Sequence, residues 1–314
     1  MQISMVKEKM QSVRQAIESV MVGKTAEIEL VLTVLAAGGH VLLEDVPGTG
    51  KTTLAKALAA SISADFKRIQ FTPDLLPTDL TGLNIYNPKT GDFTFKKGGL
   101  FTNILLADEI NRATPRTQSG LLECMEEKQI TIDGETYPLP PPYFVLATQN
   151  PVETQGTFPL PEAQLDRFMM QISIGYPSRE GEVDIIQRFL NNNPLETLAP
   201  VSTTEDWAAI QKAVSAVKIH PDLCTYIADL TIYTRKHDSV ALGASPRAAL
   251  ALAKAAQAYA AMQGRDFVKP EDVKHLAMYV LPHRLVIRGR NTTKEQIISE
   301  TLLEVPVPTE DMFT

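Results

Sequence analysis

Residues 44 to 59 read EDVPGTGKTTLAKALA, and Pro47, Gly48, Thr49, Gly50, Lys51, Thr52 and Thr53 put two glycines, a lysine and three hydroxyls around one short turn. Glycines let successive backbone N–H groups close around phosphate oxygens, and a helix starting at the lysine adds the positive end of its dipole. Lys51 then reaches the β- and γ-phosphates of a bound ATP, and Thr52 offers a hydroxyl to Mg2+. The strict pattern Gly-x4-Gly-Lys-Thr needs a glycine at position 45, where this chain has Asp45. Context offsets the departure: the turn follows the apolar run HVLLE and precedes TTLAKALAA, the strand, loop and helix order that the mechanism requires.

Further candidates stand at the ends of other apolar runs. NILLADEIN closes on Asp108 and Glu109, two carboxylates where a buried strand opens to solvent. Their types fit Asp108 holding the hydration shell of a magnesium ion and Glu109 polarising the water that attacks a γ-phosphate. YFVLATQNP ends in Thr148, Gln149 and Asn150, which makes Asn150 a candidate for positioning water or sensing phosphate. Arg167 in PEAQLDRFMM either closes a short helix, where a cation suits the dipole, or carries charge to a site. Arg247 in GASPRAAL falls in the first turn of a predicted helix; the dipole disfavours a cation there, so a nearby anion explains it better.

These residues need elements to hold them. HVLLE, FKRIQF, NILLADE, YFVLATQ and FMMQISI are short and rich in β-formers, and several are continuous rather than alternating. Such runs suit strands covered on both faces of a largely parallel sheet, so residues 1–177 read as an α/β sandwich. Beyond GYPSREGE the β signals fade, and residues 178–314 read as a linker and a smaller all-helical domain. Its central helix has Ser245 as N-cap, Pro246 at the first position and Gly264 past the end. Two hairpins interrupt the sandwich, LNIYNPKTGDFTF with a Pro/Gly turn and QITIDGETYPL with Asp133-Gly134 at a two-residue turn.

With 314 residues, 44% of them hydrophobic, the chain exceeds what one compact domain usually holds. A net charge of −7 and a pI near 5.4 leave no global positive field for nucleic acid or anionic lipid. Cys124 and Cys224 lack any paired metal-ligand spacing, and the histidines show no i,i+4 pair. The N-terminal segment mixes charge into helical periodicity without the apolar core of a secretory signal. Since the longest apolar stretch is interrupted by Gly38-Gly39-His40, no membrane span is expected and the expected location is cytoplasmic.

The motif order resembles that of AAA+ ATPases over nearly the whole chain. More narrowly, EDVPGTGKT, LLADEINRATPRTQSGLLECMEE, ATQNPVETQGTFPLPEAQLDRF and GASPRA are similar to segments of the MoxR family. The resemblance implies a P-loop αβα domain with strand order 5-1-4-3-2, a helical lid, and a homo-oligomeric ring, commonly hexameric, with ATP sites between subunits. It makes Gly48 through Thr53 the Walker A core, Asp108 and Glu109 the Walker B acids, Asn150 sensor 1, Arg167 an arginine finger acting on the neighbour, and Arg247 sensor 2, in cis or in trans. The hairpins become the helix-2 insert and the pre-sensor-1 hairpin. The implied activity is chaperone-like remodelling or activation of protein partners, extending to metalloprotein or complex maturation, with a von Willebrand factor A domain protein as one implied partner. The alternatives are a DNA-associated motor and a slow nucleotide-dependent switch. The acidic tip Asp133-Gly134-Glu135 would repel a phosphate backbone and ranks protein substrates above DNA. No Asn-Lys-x-Asp segment supports a GTPase, since NPKT does not fit.

Overall fold

The computed structural model describes residues 1–89, 91–150, 156–191, 193–289 and 292–308. All five predicted runs form strands: β1 (Val41–Glu44), β2 (Phe66–Gln70), β3 (Ile104–Asp108), β4 (Phe144–Gln149) and β5 (Met170–Ile172). They pair in parallel in the order β5-β1-β4-β3-β2, matching the order that the family resemblance implies.

The continuous apolar runs split by strand periodicity into two cores. Val41, Leu43, Ile104, Leu106, Phe144 and Leu146 face one side, while Leu42, Leu105, Ala107, Val145 and Ala147 face the other. Alternate side chains point to opposite faces, so a strand apolar at every position must be covered twice. The first face is covered by helices Ile3–Glu18, Thr25–Ala36 and Lys51–Ser61, and the second by helix Pro115–Glu127 with Leu80 and Phe168. The polar chemistry is thereby confined to the strand ends.

The C-terminal part contains helices Thr204–Val214, Pro221–Lys236, Pro246–Met262, Pro270–Val280 and Lys294–Glu304. Ser245 caps the third of these by accepting from the Ala248 N–H at 3.1 Å, and Gly264 follows its end at φ +83°. Its buried face is mostly alanine, which lets it pack closely on Ile3–Glu18 and Thr25–Ala36. The first core therefore runs without a break from the sheet into the C-terminal helices. One feature corrects the all-helical expectation: Val240–Leu242 pairs antiparallel with Val286–Ile287. These β-branched and apolar segments flank the helices Pro246–Met262 and Pro270–Val280, and pairing them satisfies backbone groups that no helix takes up.

Both hairpins form, Gly82–Asn87 with Asp92–Lys97 and Gln129–Ile132 with Glu135–Pro138. Asp133 and Gly134 take φ +51° and +85°, as a tight two-residue turn demands. The hairpins also touch each other, with the Phe95 and Tyr137 rings stacked at 4.3 Å and Asn84 Nδ2 donating to Asp133 Oδ2 at 2.7 Å. Among the described residues, no helix is long and apolar enough to cross a membrane.

Candidate active site

At the C-terminal end of β1 the chain turns through residues 45–50 into helix Lys51–Ser61. Gly48 and Gly50 have φ of +87° and +89°, a backbone conformation that side chains resist, so the turn needs glycine for its dihedral angles. Pro47, Gly48, Gly50, Lys51, Thr52 and Thr53 line a cavity of about 400 Å³. Thr49 lines a smaller neighbouring cavity of about 210 Å³ instead. The Lys51 ammonium donates to the carbonyls of Asp45 (3.0 Å) and Val46 (2.8 Å). Burial pushes its pKa down, and the charges of Asp45, Asp108 and Glu109 oppose that shift.

The larger cavity also collects Asp108, Glu109 and Asn150 from the ends of β3 and β4. Thr148 joins the two strands: its hydroxyl donates to Asp108 Oδ1 at 2.6 Å and accepts from the Glu109 N–H at 2.8 Å. Glu109 sits at φ +56°, which bends the chain out of the strand. Its Oε2 accepts from Gln70 Nε2 and lies beside Arg112 Nε, each at 2.9 Å. Asp108 Oδ2 accepts from Arg68 Nη2 at 2.6 Å. Thr52 and Asp108 supply a hydroxyl and a carboxylate to one cavity, a hard-oxygen set that fits magnesium completed by phosphate oxygens and water. Among the described residues no group of three His, Cys, Asp or Glu side chains is placed to hold a metal ion.

Arg167 and Arg247 are not in this cavity. They line a second one of about 480 Å³ with His40, Lys128, Asp166 and Lys254. Gly38, Gly39 and His40 precede β1, whereas the phosphate turn follows it, so the two cavities lie at opposite ends of that strand. Helix Pro246–Met262 packs on Thr25–Ala36, the helix leading into β1, and this puts Arg247 at the strand's start. Both arginines share one carboxylate: Arg167 Nε donates to Glu126 Oε2 at 3.1 Å and Arg247 Nη2 to Glu126 Oε1 at 2.5 Å. Arg167 stands just after the short helix Glu162–Leu165, and its side chain extends to Glu126 on another helix.

Some contributors escape a reading by motif. Asp45, the misfit in the glycine pattern, is buried and accepts from Ser173 Oγ (2.9 Å) and from the backbone N–H groups of Ile174 (2.5 Å) and Gly175 (3.0 Å). It clamps the phosphate turn to the chain leaving β5. A carboxylate in a glycine slot was the available signal. Arg68 and Gln70 sit on the edge strand, where exposed Lys67, Arg68 and Gln70 accompany half-buried Phe66 and Ile69 in no regular alternation and carry no motif. The smaller cavity is lined by Val20, Met21, Val22, Pro177, Ile185 and Phe189, from three separated segments that only the fold unites.

The model of an ATPase family associated with various cellular activities matches residues 40–170, and an AAA lid domain model matches residues 232–302. The Bacillus subtilis protein YeaC, itself uncharacterized, is 52% identical over 93% of this chain and 92% of its own length. Chaperone MoxR1 of Mycobacterium tuberculosis is 41% identical over 93% of this chain and 80% of its own, and Protein MoxR of Paracoccus denitrificans is 30% identical over 93% and 94%. A crystal structure of a Cytophaga hutchinsonii protein superposes with a TM-score of 0.91 at 42% identity, covering 98% of this chain and 97% of that one.

Proposed function

Because the chain belongs to the MoxR family of AAA+ ATPases, we propose that it hydrolyses ATP at sites completed by a neighbouring copy and uses the cycle to remodel protein partners. The division of labour is a nucleotide-binding unit over residues 1–177 and a linker with a helical lid over 178–314. The observation carrying this reading is the split of the candidate residues between two cavities at opposite ends of β1.

In the first cavity the Gly48–Thr53 backbone and Lys51 bind the phosphates of ATP, and Lys51 exchanges the Asp45 and Val46 carbonyls for phosphate oxygens. The apolar cavity beside it takes the adenine base, against Val22, Pro177 and Phe189. Thr52, and Asp108 through water, would hold a magnesium ion, which would supply neutralisation of the phosphate charge. Glu109 takes the proton of the attacking water, and Asn150 orients that water against the γ-phosphate. Arg167 and Arg247 approach from another subunit, exchanging Glu126 for the charge that develops on the transferred phosphoryl group. Each copy then joins the acidic end of one sheet to the cationic end of the next. Such a head-to-tail contact closes into a ring when the rotation permits, and six is the expected number.

Partner proteins, among them one carrying a von Willebrand factor A domain, would engage the protruding hairpins in a cytoplasmic setting. The test is the steady-state ATPase rate per subunit across a wide range of protein concentration with magnesium present. A specific rate that climbs as mass measurements show association supports composite sites; full turnover by a verified monomer overturns them. No turnover in the assembled ring would favour the slow switch, and strong stimulation by DNA the motor.

A further inference from the structure

An ion pair between a buried arginine and a half-buried aspartate lines the second cavity beside its two arginines. The Arg284 side chain is 2% exposed, and its Nε donates to Asp166 Oδ1 at 2.6 Å. Its Nη2 donates to the carbonyls of Phe168 (2.6 Å) and Asp166 (3.2 Å), and its Nη1 to those of Met169 (3.2 Å) and Val280, with the His283 Nε2 2.8 Å from Nη1. The other Asp166 oxygen, Oδ2, accepts from the Ser245 hydroxyl at 2.8 Å. A buried guanidinium left without partners would be costly, so these bonds hold one geometry.

What the pair holds is informative. Asp166 is the residue before Arg167, and Ser245 is the N-cap of the helix that carries Arg247 on its first turn. Arg284 comes from the turn after helix Pro270–Val280 and grips the two residues leading into β5. One carboxylate therefore fixes the chain at Arg167 and the helix start at Arg247, from sequence positions 79 apart. On the far side of both arginines, Glu126 spans them through its two oxygens. If Arg284 served only to bind the C-terminal helices to β5, the carbonyls of Phe168, Met169 and Val280 would suffice. The bond from Asp166 to Ser245 adds nothing to that anchorage and ties together the two segments that present charge.

We infer that Asp166 is a positioning residue for both arginines that one copy contributes to the next copy's nucleotide, with Arg284 fixing its orientation and Ser245 relaying it to Arg247. This rests on the reading that Arg167 and Arg247 act in trans. Because a transition-state contact displaced by about 1 Å loses on the order of 10²-fold in rate, the brace acts on turnover rather than on nucleotide affinity.

The experiment uses the full chain. Asp166→Ala should lower kcat on the order of 10²-fold with unchanged affinity for a fluorescent ATP analogue, since its own phosphate turn is intact. Mixing it with Lys51→Ala subunits, inactive alone but carrying both arginines in place, should restore turnover at the mixed contacts. Ser245→Gly serves as a second variant, because glycine still caps a helix within a few tenths of a kcal/mol; it should lose several-fold in kcat and be rescued in the same way. Wild-type turnover in both variants overturns the inference. So does a failure of Lys51→Ala to rescue them while it rescues Arg167→Ala. If Arg167→Ala itself turns over normally, the trans reading falls and the positioning role falls with it, a result distinct from the others.

Discussion

The two ends of β1 are separated by four residues, roughly 13 Å of strand, and they are built by different means. At the end of the strand the site is largely backbone: a turn with two left-handed glycines, the start of a helix, and acids at the tips of β3 and β4. At its beginning the charge is carried by side chains, with Arg167 and Arg247 sharing Glu126 and Lys128 and Lys254 on the same cavity lining. Backbone cradles are rigid because the fold defines them; long cations need bracing, and the Asp166–Arg284 pair supplies it. The contrast explains why the chain looks incomplete at each end and complementary between them.

The largest effect should come from breaking the cationic end. Arg167→Ala should lose roughly 10³-fold or more in turnover, as arginine fingers do, while ATP affinity of the isolated subunit stays at the wild-type value. Single-turnover rates and a binding titration separate the two quantities. Unchanged turnover would return Arg167 to closing its short helix. At the acidic end, Glu109→Gln should lose on the order of 10²- to 10⁴-fold in hydrolysis and keep ATP binding, because general base action is removed and the phosphate turn is not. Wild-type turnover in that variant would sink the role of Glu109.

The acidic end was far more legible than the cationic one. Gly48, Lys51, Asp108 and Asn150 each close a recognisable run, so the period of the apolar residues and the type of the terminal residue point to one place. Both hairpins followed from their turn residues, and the sheet order came from the family resemblance alone. Arg167 and Arg247 could be named, yet their separation from Lys51 could not, because it depends on where helix Pro246–Met262 packs. Arg284, Arg68 and Gln70 were invisible for a related reason: their partners lie 118, 40 and 39 positions away, and a lone polar side chain carries no period.

Asp45 tests how far the phosphate turn depends on its clamp. Asp45→Ala leaves the N–H groups of Ile174 and Gly175 without their acceptor, a loss of about 3 kcal/mol for buried donors. Denaturant melts should register it, together with weaker ATP binding, because Lys51 rests on the Asp45 carbonyl of the same turn. A glycine at position 45 would restore the strict motif and still lack the clamp. If Asp45→Gly proved as stable as wild type, the carboxylate would have no structural role.

The smallest effect belongs to the start of β1, and it depends on pH. His40 is buried; its Nε2 lies 3.0 Å from the Met125 carbonyl and its Nδ1 accepts the Val145 N–H at 3.1 Å. One nitrogen donates and the other accepts, so the ring is neutral with its proton on Nε2. Burial, the largest cause, lowers its pKa from 6.5 to about 4; the Met125 carbonyl opposes the shift and Lys128 adds to it. The folded pKa lies below the unfolded one, so the unfolded chain takes up the proton first. The stability that neutral His40 contributes is complete above about pH 6.5 and is lost as pH falls toward 4, the loss reaching about 2.5 kcal/mol near pH 4.5. His40→Gln keeps a donor and an acceptor without titrating, so the difference between its stability and that of wild type should shift in its favour across that window. Parallel pH profiles for the two proteins would remove His40 from the acid sensitivity of this end. A wild-type profile that falls alone would assign that acid sensitivity to the buried imidazole that bonds β4 and the Glu126 helix from the start of β1.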